Sequence, residues 1–160
     1  MSFLRICRDD VATQSAGEAF ALVLRPGDIV ALTGGLGAGK TTFVKGVARG
    51  LGVVERVTSP SFTLVRQHDA HNELGITTLH HADVYRVESI AEVRDLDLGE
   101  LVEEAGVVLV EWGELATSVF GRDVLTLSFE LVDDEETRTI VVSGGVDAAR
   151  ASALTTWSDS

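Results

Sequence analysis

The sequence is poor in cysteine, proline and basic residues, and these shortages exclude several kinds of protein. A single cysteine, Cys7, cannot close an internal disulfide, so the fold must stand on its own core, and Cys7 is expected to pack inertly inside it. Two prolines in the whole chain argue against a fibrous or disordered polypeptide. No apolar run approaches the ~18 residues that a membrane span requires. The opening Met1-Ser2-Phe3-Leu4-Arg5 soon meets Asp9-Asp10 and lacks the apolar core and small-residue cleavage site of a secretion signal, so a cytoplasmic location without membrane contact is expected. Basic residues are outnumbered, 13 against 25 acids, which leaves a formal charge of −12. That charge repels a phosphate backbone, so any link to RNA is expected to run through a partner. Lys40 and Lys45 are the only lysines.

What remains is an ordinary globular composition, 45% hydrophobic and 24% charged over 160 residues. A chain of this length forms one domain and buries roughly two-thirds of its unfolded surface. Phe3 to Cys7 reads as a strand, and Asp9 or Asp10 can cap a helix running to about Leu24. Arg25-Pro26-Gly27-Asp28 turns the chain. Ile29 to Thr33 and Val107 to Val110 are short apolar runs rich in β-branched residues, as expected of central strands buried on both faces. A helical pattern runs from Lys40 to Leu51 and stops at Gly52. Leu64 to Gln67 and Ile76 to His80 predict a hairpin, and Ser89 to Glu104 a further helix. Val124 to Val132 and Thr137 to Val142 alternate around an acidic turn, which predicts an antiparallel pair. Val146 to Ser160, rich in Ala, Ser and Thr with an isolated Trp157, is expected to be a short helix with a frayed end.

Between the first central strand and the helix after it lies Gly34-Gly35-Leu36-Gly37-Ala38-Gly39-Lys40-Thr41. Glycines let backbone N–H groups approach phosphate oxygens, and the helix beginning near Lys40 aims its positive end at them. Lys40 adds a point charge for the β and γ phosphates, and the Thr41 hydroxyl can ligate magnesium. Chance would produce this pattern roughly 0.003 times in a chain of this composition. The expected fold is therefore α/β, a P-loop NTPase-like three-layer fold with a mixed central sheet and an antiparallel C-terminal strand pair. It would occupy residues 1–145, with 146–160 as a tail. No Asn-Lys-x-Asp guanine reader occurs, so ATP is the expected nucleotide.

The second apolar run ends at Glu111, where such folds place a carboxylate that holds magnesium directly or through water. His81-Ala82-Asp83-Val84-Tyr85-Arg86 follows a predicted strand and offers Asp83 as a base or water-orienting acid; a polar strand end with a salt bridge is the alternative. His68, His71, His80 and His81 have no cysteine pair to complete a zinc site. Thr58-Ser59-Pro60-Ser61-Phe62-Thr63 reads either as a hydroxyl-rich switch loop sensing the γ-phosphate or as a plain turn.

Four segments, Gly34 to Thr42, Thr58 to Leu64, His81-x-Asp-x-Tyr-Arg86 and Leu109-Val-Glu-Trp112, together resemble one family. It is the bacterial ATPase of tRNA threonylcarbamoyladenosine biosynthesis, the TsaE family, and the resemblance covers roughly Arg5 to Val142. It implies a magnesium-dependent ATPase that acts with TsaB-like and TsaD-like proteins and touches tRNA only indirectly, its hydrolysis resetting the complex. By the same resemblance Gly35, Leu36, Gly37, Ala38, Gly39, Lys40, Thr41 and Thr42 would hold the nucleotide, and Thr41 and Glu111 the metal. Asp83 would be catalytic, with Lys40 beside it. Trp112 would wall the site, and Asp10 would touch the nucleotide's outer side. Two departures stand out: Gly35 replaces a frequent acid, and Gly113 a common proline. A small-molecule kinase and an ATP-sensing module are the competing readings. The scattered arginines disfavour the kinase, which usually needs an arginine-rich lid.

Overall fold

Val107 to Val110 are each fully buried, and they mark the middle of a seven-stranded sheet. The computed structural model describes residues 2–35, 37–58, 65–84, 89–112, 124–132 and 136–160. Its strands are β1 (Phe3–Cys7), β2 (Ile29–Gly34), β3 (Val65–Asp69), β4 (Thr78–Asp83), β5 (Gly106–Glu111), β6 (Leu125–Leu131) and β7 (Arg138–Ser143). They lie in the order β1-β7-β6-β2-β5-β4-β3. The four inner strands β6, β2, β5 and β4 run parallel. β3 pairs antiparallel with β4, β7 with β6, and β1 with β7. The expected mixed sheet and C-terminal pair are therefore present.

Helices cover both faces. On one side α1 (Asp10–Phe20), α2 (Lys40–Gly50) and α5 (Ala148–Asp159) enclose a core that includes Phe20, Phe43, Val47, Leu109, Phe129 and Leu154. On the other, α3 (Ile90–Asp95) and α4 (Leu98–Leu101) bring Val93 and Leu98 against Val108 and Val110. Alternate β5 side chains thus enter different cores, which is why the strand reads as a continuous apolar run instead of an alternating one.

Some boundaries differ from expectation. α1 ends at Phe20 and the chain tightens into a 3-10 turn over Ala21–Val23. The helix expected over Ser89 to Glu104 is broken by Asp97, whose φ of 49° is left-handed, into α3 and α4. β4 reaches Asp83 instead of stopping at His80; its extra residues pair with Leu109, Val110 and Glu111. The tail expected to fray is a twelve-residue helix. Asp147 caps it by accepting from the Arg150 amide at 2.8 Å, and Trp157 anchors it. The indole N–H donates to the Ala16 carbonyl at 2.9 Å, with the ring edge-on to Phe20.

The tightest packing joins α1 to α2. A Cβ on Gly17 would come 2.1 Å from the Phe43 carbonyl oxygen, and one on Gly46 1.9 Å from that of Gln14. Only glycine permits this crossing, which fixes where α2 starts. No described helix is long and apolar enough to cross a membrane.

Candidate nucleotide site

Parallel strands all end at the same edge, and the chemistry of the chain collects there. β2 ends at Gly34 and leads through the glycine loop into α2. Glu111 closes β5 opposite Leu32 of β2 and Asp83 of β4. β7 runs the other way, so its first residue, Arg138, lies at this edge, opposite Leu131 at the end of β6. Cys7, the last residue of β1, pairs with Arg138, and Asp9 and Asp10 follow it directly.

The loop has the backbone that its glycines suggest. Gly37 and Gly39 adopt φ of 76° and 97°, values that side chains with a Cβ rarely tolerate. Arg138 also packs close over Gly39, where a Cβ would lie 2.9 Å from its Cδ and Nε and would push that side chain aside. As N-cap of α2 it supplies no side-chain acceptor, so the first amides of the helix keep their donors for something else.

Lys40 is buried, and its Nζ donates to the Gly34 carbonyl at 2.5 Å. The same ammonium lies 3.3 Å from the centre of the Trp112 ring, an attractive cation–π contact. Trp112 holds a left-handed φ of 61°, a strain of about 1–3 kcal/mol for such a residue. The Thr41 hydroxyl donates to Oε1 of Glu111 at 2.8 Å, and Oε2 of Glu111 meets Nε2 of His81 at 2.5 Å. Helix, loop and strand ends are thereby tied through one buried carboxylate.

These groups surround a cavity of about 290 Å³. Its floor is Gly37, Ala38, Gly39, Lys40, Thr41 and Thr42, and its walls include Asp10, Asp83, Glu111 and Trp112. Gly35 is exposed and does not line it. Leu36, Tyr85, Arg86, Gly113 and the 59–64 part of the hydroxyl-rich loop fall outside the described residues.

Two members of the site were not singled out as such from the sequence. Arg138 lines the cavity, lies 3.6 Å from Asp10, and donates to the carbonyls of Glu136 and Gly37. Its buried Nε has no hydrogen-bond partner among the described residues. Nothing local in the sequence marks it, since only the β1–β7–β6 pairing brings it to this edge. His81, weighed as a zinc ligand and quoted as the start of the His-x-Asp-x-Tyr-Arg segment but given no role in the site, is fully buried against Glu111. A signal existed, because His81 and Asp83 are two apart on one strand and so share a face. The adjacent histidine, His80, faces away toward Gly106. Burial pushes its imidazole below the ordinary value, partly opposed by the Leu101 backbone.

A strand, a glycine loop and a helix set on parallel strands of a helix-covered sheet define a P-loop protein of the α/β class. Residues 7–140 match the family model described as Threonylcarbamoyl adenosine biosynthesis protein TsaE, and the chain belongs to the TsaE family. Proteins described as tRNA threonylcarbamoyladenosine biosynthesis protein TsaE are similar to it. That of Bacillus subtilis (strain 168) is 40% identical over 124 residues, covering 78% of this chain and 75% of its own. That of Treponema pallidum (strain Nichols) is 40% identical over 129 residues, covering 81% and 92%. That of Mycobacterium tuberculosis (strain H37Rv) is 37% identical over 139 residues, covering 83% and 82%. The crystal structure of YdiB from Bacillus subtilis superposes with a TM-score of 0.72 at 28% identity, covering 99% of this chain and 95% of that one.

Proposed function

We propose that the chain is a magnesium-dependent ATPase of the cytoplasm that supports threonylcarbamoyladenosine modification of tRNA together with TsaB-like and TsaD-like proteins. The observation that carries this reading is the bridge from Thr41 to Glu111 across the mouth of the glycine loop. It joins the helix-start hydroxyl and the strand-end carboxylate that phosphate-loop enzymes use for magnesium. The donor set suits that ion, which keeps several waters and takes one or two protein oxygens plus phosphate. The start of α2, without a side-chain cap, and the Nε of Arg138, without a hydrogen-bond partner among the described residues, are donors suited to an anion. The names of the similar proteins place them in the tRNA modification.

In this reading the loop amides and Lys40 bind the β and γ phosphates. Lys40 leaves the Gly34 carbonyl to do so, while Trp112 stays beside it as the wall. Thr41 and Glu111 would hold magnesium, whose charge would offset that of the phosphates. Asp83, at the neighbouring strand end, orients the attacking water. Arg138 and Asp10 bound the outer side of the nucleotide. With a surface of net charge −12, the contact to tRNA runs through the partner proteins, not through this chain.

The decisive experiment is ATP hydrolysis by the isolated chain and by the chain mixed with TsaB-like and TsaD-like proteins. Slow turnover alone, strongly raised by the partners, is expected. Fast turnover indifferent to partners would overturn the partner-regulated reading. Phosphate passed to a metabolite would favour a kinase, and ATP held without phosphate release, even beside partners, a sensing module.

A further inference from the structure

We infer that His81 is a positioning residue for the metal site: it fixes the Glu111 carboxylate so that one oxygen is presented at the phosphate loop. The inference rests on the reading of Thr41 and Glu111 as magnesium contacts.

Glu111 is nearly buried, at 4% exposure, and His81 is completely so. The two carboxylate oxygens have different tasks. Oε1 faces α2 and accepts from Thr41, whereas Oε2 turns back into the sheet and meets Nε2 of His81. Glutamate has three rotatable side-chain bonds, so a single contact at Oε1 would leave the carboxylate free to swing. His81 removes that freedom from behind. It stands on β4, fixed by pairing with Leu109, two positions before the Asp83–Glu111 pair. Leu79 and Leu109, its neighbours on the same face, are fully buried. A leucine would therefore fill the His81 position without the cost of burying an imidazole. An ionised carboxylate only accepts, so the hydrogen of this contact is assigned to Nε2 of His81. The other ring nitrogen, Nδ1, has no partner among the described residues, so the side chain is spent on this one contact. The Thr41 oxygen can take a metal through a lone pair, so Oε1 has to share its place between the hydroxyl and the ion. The contact at Oε2 is not shared, and it keeps Oε1 in place. Groups that orient a metal ligand in this way typically set metal affinity by about 10–100-fold.

The test uses manganese as the probe, its binding followed by electron paramagnetic resonance in the presence of a non-hydrolysable ATP analogue. Affinity for the analogue alone is measured in EDTA. His81→Phe keeps the ring volume and removes the donor, and His81→Gln places an amide N–H near the former Nε2. His81→Phe is expected to weaken manganese binding about 10–100-fold while its affinity for the analogue in EDTA stays at the wild-type value. His81→Gln is expected to restore most of the metal affinity. Should His81→Phe fail to fold, His81→Asn, whose shorter amide falls away from Oε2, is expected to show the same loss relative to His81→Gln. Manganese bound as tightly by His81→Phe as by wild type would overturn the inference. An equal loss of metal and of metal-free nucleotide affinity would overturn it too, because that is a general structural effect. The underlying reading fails separately: if Glu111→Gln binds manganese as wild type does, Glu111 is no metal contact and there is nothing for His81 to position.

Discussion

Replacing Gly46 by alanine tests whether the placement of the phosphate loop depends on the glycine-mediated crossing of α1 and α2. A Cβ at Gly46 would lie 1.9 Å from the Gln14 oxygen, 2.8 Å from its carbonyl carbon and 3.0 Å from the Glu18 nitrogen. All three are backbone atoms of α1 and cannot rotate away. Real Cβ contacts essentially never fall below 3.0 Å, so the helices must part by roughly 1 Å in an interior packed like an organic crystal. Overpacking of this kind costs about 1–3 kcal/mol. Alanine returns up to ~1 kcal/mol through its better helix propensity. Because all three clashing atoms are backbone, the upper part of the overpacking cost, about 2–3 kcal/mol, applies; the net loss is about 1–2 kcal/mol, and for a chain of this length each kcal/mol lowers Tm by about 2–4 °C. Circular dichroism during thermal and urea unfolding measures the loss, and calorimetric titration with an ATP analogue measures the consequence for the site. Because α2 carries Lys40, Thr41 and Thr42 of the cavity floor, the displaced helix is also expected to bind nucleotide more weakly. A Gly46→Ala protein as stable as wild type, with unchanged nucleotide affinity, would refute the argument that this close approach sets the loop.

Other perturbations separate the roles of single groups. Lys40→Ala removes a charge-assisted contact worth about 1.5–3 kcal/mol and is expected to weaken ATP binding by roughly 10–150-fold; unchanged affinity in calorimetry would sink the phosphate-binding reading. Asp83→Ala is expected to bind ATP normally yet lose turnover by about 10²–10⁴-fold in a phosphate-release assay with the partner proteins, and normal turnover would remove Asp83 from catalysis. Trp157→Ala empties the seat of α5 beside Phe20 and removes the indole hydrogen bond to the Ala16 carbonyl; a loss of about 3–5 kcal/mol is expected by urea unfolding. A loss near zero would mean that α5 is not part of the core. Stability should also fall in mild acid. Burial holds the folded imidazole of His80 below its ordinary value of 6.5, so the unfolded chain takes up the proton first as pH drops. The stability is whole above that value and is lost as pH falls through it toward the lower folded one. His80→Gln is expected to flatten the decline of Tm between roughly pH 7.5 and 5.5, and an identical slope in the variant would rule out His80 as its source.

The features legible in the sequence were those whose physics is local. The glycine loop followed by Lys40-Thr41 needs no partner to be recognised, because the backbone conformation, the charge and the helix start are all written within eight residues. The unbroken apolar run of β5 announced a strand covered on both faces and ended at Glu111, where the acid indeed meets Thr41. Alternation around an acidic turn sufficed for the β6–β7 pair.

What the tertiary structure alone decided were relations between distant segments. Arg138 enters the cavity because β7 runs antiparallel beside β6, a register that no window of sequence contains. His81 faces Glu111 because β4 pairs with β5 and extends past its apolar stretch, which local hydrophobicity ended too early. Asp97 breaks a helix that composition would have continued. Trp157 stopped being a stray residue of a frayed tail once α1 offered it a carbonyl and Phe20 a ring. Local sequence was enough for the glycine loop, the strands with apolar or alternating patterns, and the net charge of −12. The assembly of cations and carboxylates around that loop depended on strand pairing and helix crossing, where the contacts join residues more than a hundred positions apart and no local preference encodes them.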